Sequence, residues 1–163
     1  MPTALEQVAQ ELSALLRQIK GLHAEVTAKA GVRLEMPALA VLAALEADGA
    51  QRPSALADTL ALDLSTISRQ LSALERDGRV LRQRDPEDQR AQIVDLTPTG
   101  QEVLALIRAS RVERLAARLP QWSQADLAGF AAQLARFTTD ISAPHPHTEH
   151  PSLASSATDQ EDR

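Results

Sequence analysis

The chain has 163 residues, of which 44% are hydrophobic and only 2% aromatic, so a single domain's core must be built from Leu, Ala, Val and Ile, as in packed helices rather than a β-sandwich. Cysteine is absent, which excludes disulfide scaffolds, thiolate metal sites, cysteine nucleophiles and thiol redox sensing. The net charge of −5, taken as a sum, argues against a nucleic-acid binder, no apolar run approaches a membrane span, and the acidic start does not read as a signal peptide, so a cytoplasmic protein without membrane contact is expected.

Leu5, Val8, Leu12, Leu15, Ile19, Leu22 and Val26 recur at alternating spacings of three and four, a heptad seam that can pack on another helix or on a partner chain. Gly31 ends it. Residues 36–45 predict a helix closing near Asp48 and Gly49, and Arg52, Pro53 and Ser54 open a short helix through Leu60. Ala61, Leu62 and Asp63 make a tight connection, with Asp63 able to cap the helix predicted over 64–76. That helix has two faces. Leu64, Ile67, Leu71 and Leu74 form a stripe for burial, while Ser65, Arg69, Ser72 and Arg76 lie opposite, with Thr66, Ser68 and Gln70 beside them. An ordinary solvated helix carries Glu and Lys at many such positions; small hydroxyls let a backbone approach a groove closely. Two short helices, the second polar and arginine-bearing, are a helix-turn-helix arrangement.

Gly78 stops this helix. Residues 80–84 and 92–96 are strand-like runs separated by a polar loop with Pro86 as its turn signal, and a hairpin in that place is a wing. Thr97 and Pro98 then give an N-cap and a first-position proline to a helix over 98–119 that carries Val103, Leu104, Ile107, Val112 and Leu115. Ser123 is the expected N-cap of a last helix with Leu127, Phe130, Leu134, Phe137 and Ile141 on one face. The small middle region cannot cover such long terminal helices, so an intertwined dimer is expected. Residues 142–163, rich in Pro, Ser, His and acids, should be disordered, and the prolines among His145, His147 and His150 argue against a metal site. No cofactor is expected.

The charge is unevenly placed. Residues 52–90 carry seven acids and seven bases, all arginine: Arg52, Arg69, Arg76, Arg79, Arg82, Arg84 and Arg90. Arginine suits forked contacts with phosphate and guanine, the alternative being that these side chains only pair with neighbouring acids. Arg84 and Arg90 flank the wing tip, where an arginine can enter a minor groove, and Asp88 can orient Arg90 or close the turn. Ser54 and Ser65 are expected to position phosphates.

Three motifs carry a family resemblance: Leu74-Glu75-x-x-Gly78 at the end of the second short helix, Asp85-Pro86-x-Asp88-x-Arg90 in the wing, and Leu96-Thr97-Pro98-x-Gly100 at the wing-to-helix junction. Over about residues 5–141 the chain resembles the MarR (multiple antibiotic resistance regulator) family. The resemblance implies a mainly α fold, a winged helix-turn-helix over 36–97 with a small β-hairpin wing, and long N- and C-terminal dimerisation helices over about 5–30 and 98–141, within one domain spanning 1–141. It places Ser65, Thr66, Ser68 and Arg69 towards a major groove and Arg90 towards a minor groove. It further implies an effector pocket around His23, Met36 and the start of the helix after Pro98, open to a small aromatic or phenolic compound. Arg79 departs from the family, which usually has an apolar residue there, and the cysteine of its peroxide-sensing branch is missing.

The function these features imply is a transcriptional regulator: a homodimer on a pseudo-palindromic site in double-stranded DNA, acting as a ligand-responsive repressor. The competing class is an adaptor that uses the same fold to bind protein. An adaptor should have lost the hydroxyl and arginine residues of the reading face, and Ser65, Ser68 and Arg69 are present. An enzyme is not expected, because no paired acid–base groups or phosphate-cradling glycine loop appear.

Overall fold

Local capping chemistry starts most of the helices. Thr3 Oγ1 accepts from the Glu6 amide at 3.2 Å while the Glu6 carboxylate accepts from the Thr3 amide at 2.6 Å, a capping box that opens α1 (Ala4–Lys29). In this computed structural model, which describes residues 2–86 and 88–142, there follow α2 (Met36–Asp48), α3 (Pro53–Leu60), α4 (Leu64–Arg76), β1 (Val80–Arg84), β2 (Gln92–Leu96), α5 (Pro98–Arg118) and α6 (Gln124–Ser142). The expected caps are present: Asp63 accepts from the Thr66 amide, Thr97 from the Gly100 amide, and Ser123 Oγ from the Asp126 amide. The helices predicted over 36–45 and 98–119 match α2 and α5 within three residues at each end. Ser142 still belongs to α6, and the rest of the expected tail, with its three histidines, lies outside the described residues.

The chain divides after Pro120 into two compact units. In the first, α2 is apolar on all sides, as a helix at the centre of a core must be. Its Val41, Leu42 and Leu45 are buried with Leu56 of α3, Ile67, Leu71 and Leu74 of α4, Val94 of β2 and Ile107 of α5. The predicted stripe on α4 needs one correction, because Leu64 is 52% exposed. Side chains on a helix lean towards its N-terminus, so a residue at the first position leans past the helix end instead of over the core.

The strands β1 and β2 pair antiparallel from Val80 opposite Leu96 to Arg84 opposite Gln92. A further bridge joins β2 to the segment before α3: the Gln51 amide donates to the Val94 carbonyl at 3.0 Å and the Val94 amide returns the bond at 2.8 Å. The base of the wing is therefore stitched to the helix-turn-helix, and α4 ends against it. Gly78, at φ +68°, takes the left-handed conformation that lets its amide bond the Glu75 carbonyl and the Arg79 amide bond that of Leu74.

Along α1 the heptad seam divides. Val26 is in the core and Leu22 packs on it, whereas Leu5, Val8, Leu12 and Leu15 are exposed, Leu5 by 78%. In the second unit Phe130, Leu134 and Ile141 of α6 are also exposed, and Trp122 meets Phe130 edge to face with ring centroids 5.5 Å apart. Among the described residues no helix is long and apolar enough to cross a membrane.

Candidate nucleic-acid interface

The N-terminus of α4 carries a connected polar edge. Ser65 Oγ donates to Asp63 Oδ1 at 2.5 Å, Thr66 Oγ1 donates to Asp63 Oδ2 at 2.6 Å, and the Thr66 amide donates to Asp63 Oδ1 at 2.8 Å. The Ser65 hydroxyl, then the Thr66 hydroxyl and amide, hold the Asp63 carboxyl far below the usual carboxylate range, so it stays ionised. Arg69 Nη2 donates to Thr66 Oγ1 at 3.1 Å, which braces the guanidinium one turn further along the exposed face.

The remaining residues of the predicted reading face differ in what they have free. Ser68 is exposed and its hydroxyl has no protein partner among the described residues. The Ser72 hydroxyl donates back to the Ser68 carbonyl at 2.9 Å, a bond within its own helix. Gln70 Nε2 reaches Glu35 Oε2 at 3.4 Å, which turns it towards the segment before α2. Ser54 is exposed in the first turn of α3.

The seven arginines sort into two sets. Arg52 pairs with Asp85 and Asp88, Arg79 with Asp77, and Arg82 with Glu75. Arg69, Arg76, Arg84 and Arg90 are exposed and form no ion pair among the described residues. Among the described residues, pairing with neighbouring acids thus accounts for the arginines at the base of the wing, not for those on α4 and at the wing tip. The Arg79 side chain is 14% exposed. Its Nη1 donates to the Arg33 carbonyl at 3.1 Å, so burying the stem leaves no charge unsatisfied.

The wing is held from below by residues that sequence reasoning did not single out as a pair. Arg52, the N-cap residue of α3, donates from Nε to Asp85 Oδ2 at 2.7 Å and lies 3.8 Å by Nη2 from Asp88 Oδ2. Asp85 is buried. The partners are 33 positions apart, so only their types gave a signal: an arginine before a helix-opening proline and an aspartate at the wing's first turn. Asp88 Oδ1 accepts from the Arg90 amide at 3.0 Å and its carbonyl accepts from the Ala91 amide at 2.8 Å. Asp88 therefore acts on the backbone that carries Arg90, as an Asx turn, not on the guanidinium.

Between α1, α2 and α5 lies a cavity of about 290 Å³ lined by Ile19, Leu22, His23, Val26, Met36, Leu39 and Arg111. It unites His23 and Met36 as expected, but the α5 residue is Arg111, in the second half of that helix and not at its start. The Leu34 carbonyl accepts from His23 Nε2 at 2.8 Å. No group of three or more His, Asp or Glu residues suited to a metal ion occurs among the described residues.

Residues 34–91 match the MarR family. The chain is 30% identical over 132 residues to an uncharacterised helix-turn-helix transcriptional regulator, YxaD, of Bacillus subtilis, covering 81% of this chain and 91% of that one. Among solved structures it resembles a MarR family transcription regulator at 28% identity, with a TM-score of 0.67 over 86% of this chain and 94% of the other. It shares its fold with RV1404 from Mycobacterium tuberculosis at 20% identity, with a TM-score of 0.73 over 90% of this chain and all of that one. Sequence and fold agree: the chain belongs to the MarR family, as a winged helix-turn-helix transcriptional regulator and not an enzyme.

Proposed function

We propose that the protein is a homodimeric repressor that binds a pseudo-palindromic operator and releases it on binding a small ligand. The observation that carries this reading is the set Arg69, Arg76, Arg84 and Arg90, which form no ion pair among the described residues and are placed on the exposed face of α4 and on the wing of an otherwise acidic chain. In this reading Ser65, Thr66, Ser68, Arg69, Gln70 and Ser72 enter or border the major groove, Ser54 positions a phosphate, and Arg84 and Arg90 flank the minor groove. Residues 1–141 work as one domain, with 5–30 and 98–141 supplying the dimer contacts. The exposed apolar residues of α1 support the dimer, since a seam of that length left in water is costly. The cavity at His23 and Arg111 is otherwise lined by apolar side chains, which suits a small aromatic or phenolic acid. Such a repressor acts in the cytoplasm.

Light scattering at micromolar concentration should give twice the chain mass, and the protein should retard DNA flanking its own gene, with a phenolic acid reversing the shift. Half-site centres should lie about 10–10.5 base pairs apart. A monomer that still binds DNA tightly would sink the dimer reading.

The wing supplies a second check. Arg90→Ala should weaken specific and non-specific DNA binding together and lower the salt slope by about one unit per arginine lost. Asp88→Ala should also weaken binding although it removes a negative charge, because the Asx turn that presents Arg90 is lost. Asp88→Asn keeps an acceptor for the Arg90 amide and should not weaken it. Tighter binding by Asp88→Ala at moderate salt would reduce the residue to a repelling charge.

A further inference from the structure

We infer that Asp63 fixes the hydrogen-bond polarity of the reading edge, so that Ser65 and Thr66 present acceptors only and select an amine-bearing base, adenine or cytosine, beside the base taken by Arg69. The inference rests on α4 being the helix that enters the major groove, and it names what that helix reads.

A hydroxyl has one proton and two lone pairs, and an ionised carboxylate has no proton to give. Ser65 and Thr66 each spend their single proton on Asp63, at 2.5 Å and 2.6 Å. Thr66 Oγ1 also accepts from Arg69, which leaves it one lone pair, while Ser65 Oγ keeps two. The two hydroxyls therefore offer oxygen acceptors only, beside an anion. Phosphate oxygens are acceptors too, so these two hydroxyls have no proton to offer a phosphate. Turning the Ser65 proton to a phosphate would strip a charge-assisted bond from Asp63 and leave two anions facing each other. Ser65 is thereby reassigned from the phosphate role that the sequence suggested to a base-reading one.

In the major groove the donors are adenine N6 and cytosine N4, whereas guanine O6 and thymine O4 accept. Arg69 supplies the opposite polarity, with a guanidinium that keeps N–H groups free for guanine O6 and N7. The two readers stand about one helical turn, roughly 5.4 Å, apart, against about 3.4 Å per base step. Their bases should fall within two steps of each other. Asp63 is a positioning residue here, acting through the two hydroxyls.

The test is site selection from randomised duplex DNA with the 163-residue chain and three variants. Asp63→Asn keeps a good N-cap, since Asn ranks with Asp there. Its amide N–H₂ can donate to Thr66 Oγ1 and release that hydroxyl's proton outwards. The expected result is an adenine or cytosine near the Arg69-dependent guanine in the wild type, with that preference weakened about fivefold or more in Asp63→Asn and shifted towards thymine or guanine. Ser65→Ala, a surface change that leaves the fold intact, should relax the same position and leave the salt slope unchanged. The proposal is overturned if Asp63→Asn alters overall affinity but no base preference, or if Ser65→Ala weakens all sequences equally. Should Arg69→Ala also leave every preference intact, the assignment of α4 as the reading helix has failed and the inference falls with it. A thermal melt by circular dichroism confirms that each variant is folded; if Asp63→Asn is not, Ser65→Ala decides alone.

Discussion

Gly100→Ala should lower the unfolding free energy by about 3 kcal/mol, towards the upper end of what an added methyl costs in a packed site. A Cβ at this position would stand 2.2 Å from the Arg79 carbonyl oxygen and 2.9 Å from Leu96 Cδ2. The oxygen belongs to backbone and cannot swing aside like the end of a side chain. It also accepts from the Thr97 amide at 3.1 Å, while Thr97 Oγ1 donates to the Gly78 carbonyl at 2.6 Å and accepts from the Gly100 amide at 3.1 Å. Moving Arg79 away thus loosens the end of α4, the start of α5 and the root of the wing together. Urea unfolding should show a lower midpoint with an unchanged slope, and heating should show a midpoint lower by about 6–12 °C. A loss below about 0.5 kcal/mol, the range of a neutral surface change, would mean that the junction yields more easily than its geometry implies.

Arg69→Ala should do the reverse, sparing stability and weakening recognition. Its guanidinium is exposed and among the described residues bonds only to Thr66 Oγ1, so its removal should change the unfolding free energy by no more than about 0.5 kcal/mol. The DNA affinity should fall by about 1–3 kcal/mol per half-site, with relaxed preference at one base pair in each half. Arg69→Lys should not restore it, because an ammonium lacks the planar fork that meets two acceptors of one guanine. Sequence preference unchanged by Arg69→Ala in a site-selection experiment would show that the wrong face of α4 had been assigned.

What could be read from the sequence was what is local. The caps at Asp63, Thr97 and Ser123 depend on a side chain and an amide three residues later, and all three were legible. The helix faces were legible for Ile67, Leu71 and Leu74, where periodicity and burial coincide, and failed at Leu64, where the helix end redirects the side chain. The contacts that hold the site in place were not legible. Arg52 with Asp85, Gln51 with Val94, and Arg79 with the Arg33 carbonyl join segments 33, 43 and 46 positions apart, and no periodicity records which distant residue a chain brings back. The candidate residues themselves were found because hydroxyls and arginines are unusual on a solvated helix. The direction of their protons was not, since it depends on both hydroxyls reaching the Asp63 carboxylate.

The edge-on pair of Trp122 and Phe130 makes the protein its own optical reporter. The chain has one tryptophan and no tyrosine, so its intrinsic emission comes from a single indole in the C-terminal unit, 42% exposed to water. A change of solvent at α6, as when two chains meet there, should move the emission maximum with protein concentration. Events confined to the reading helix should leave it still. One cuvette therefore separates assembly from DNA capture without a label, and a silent titration against operator is no sign that binding failed.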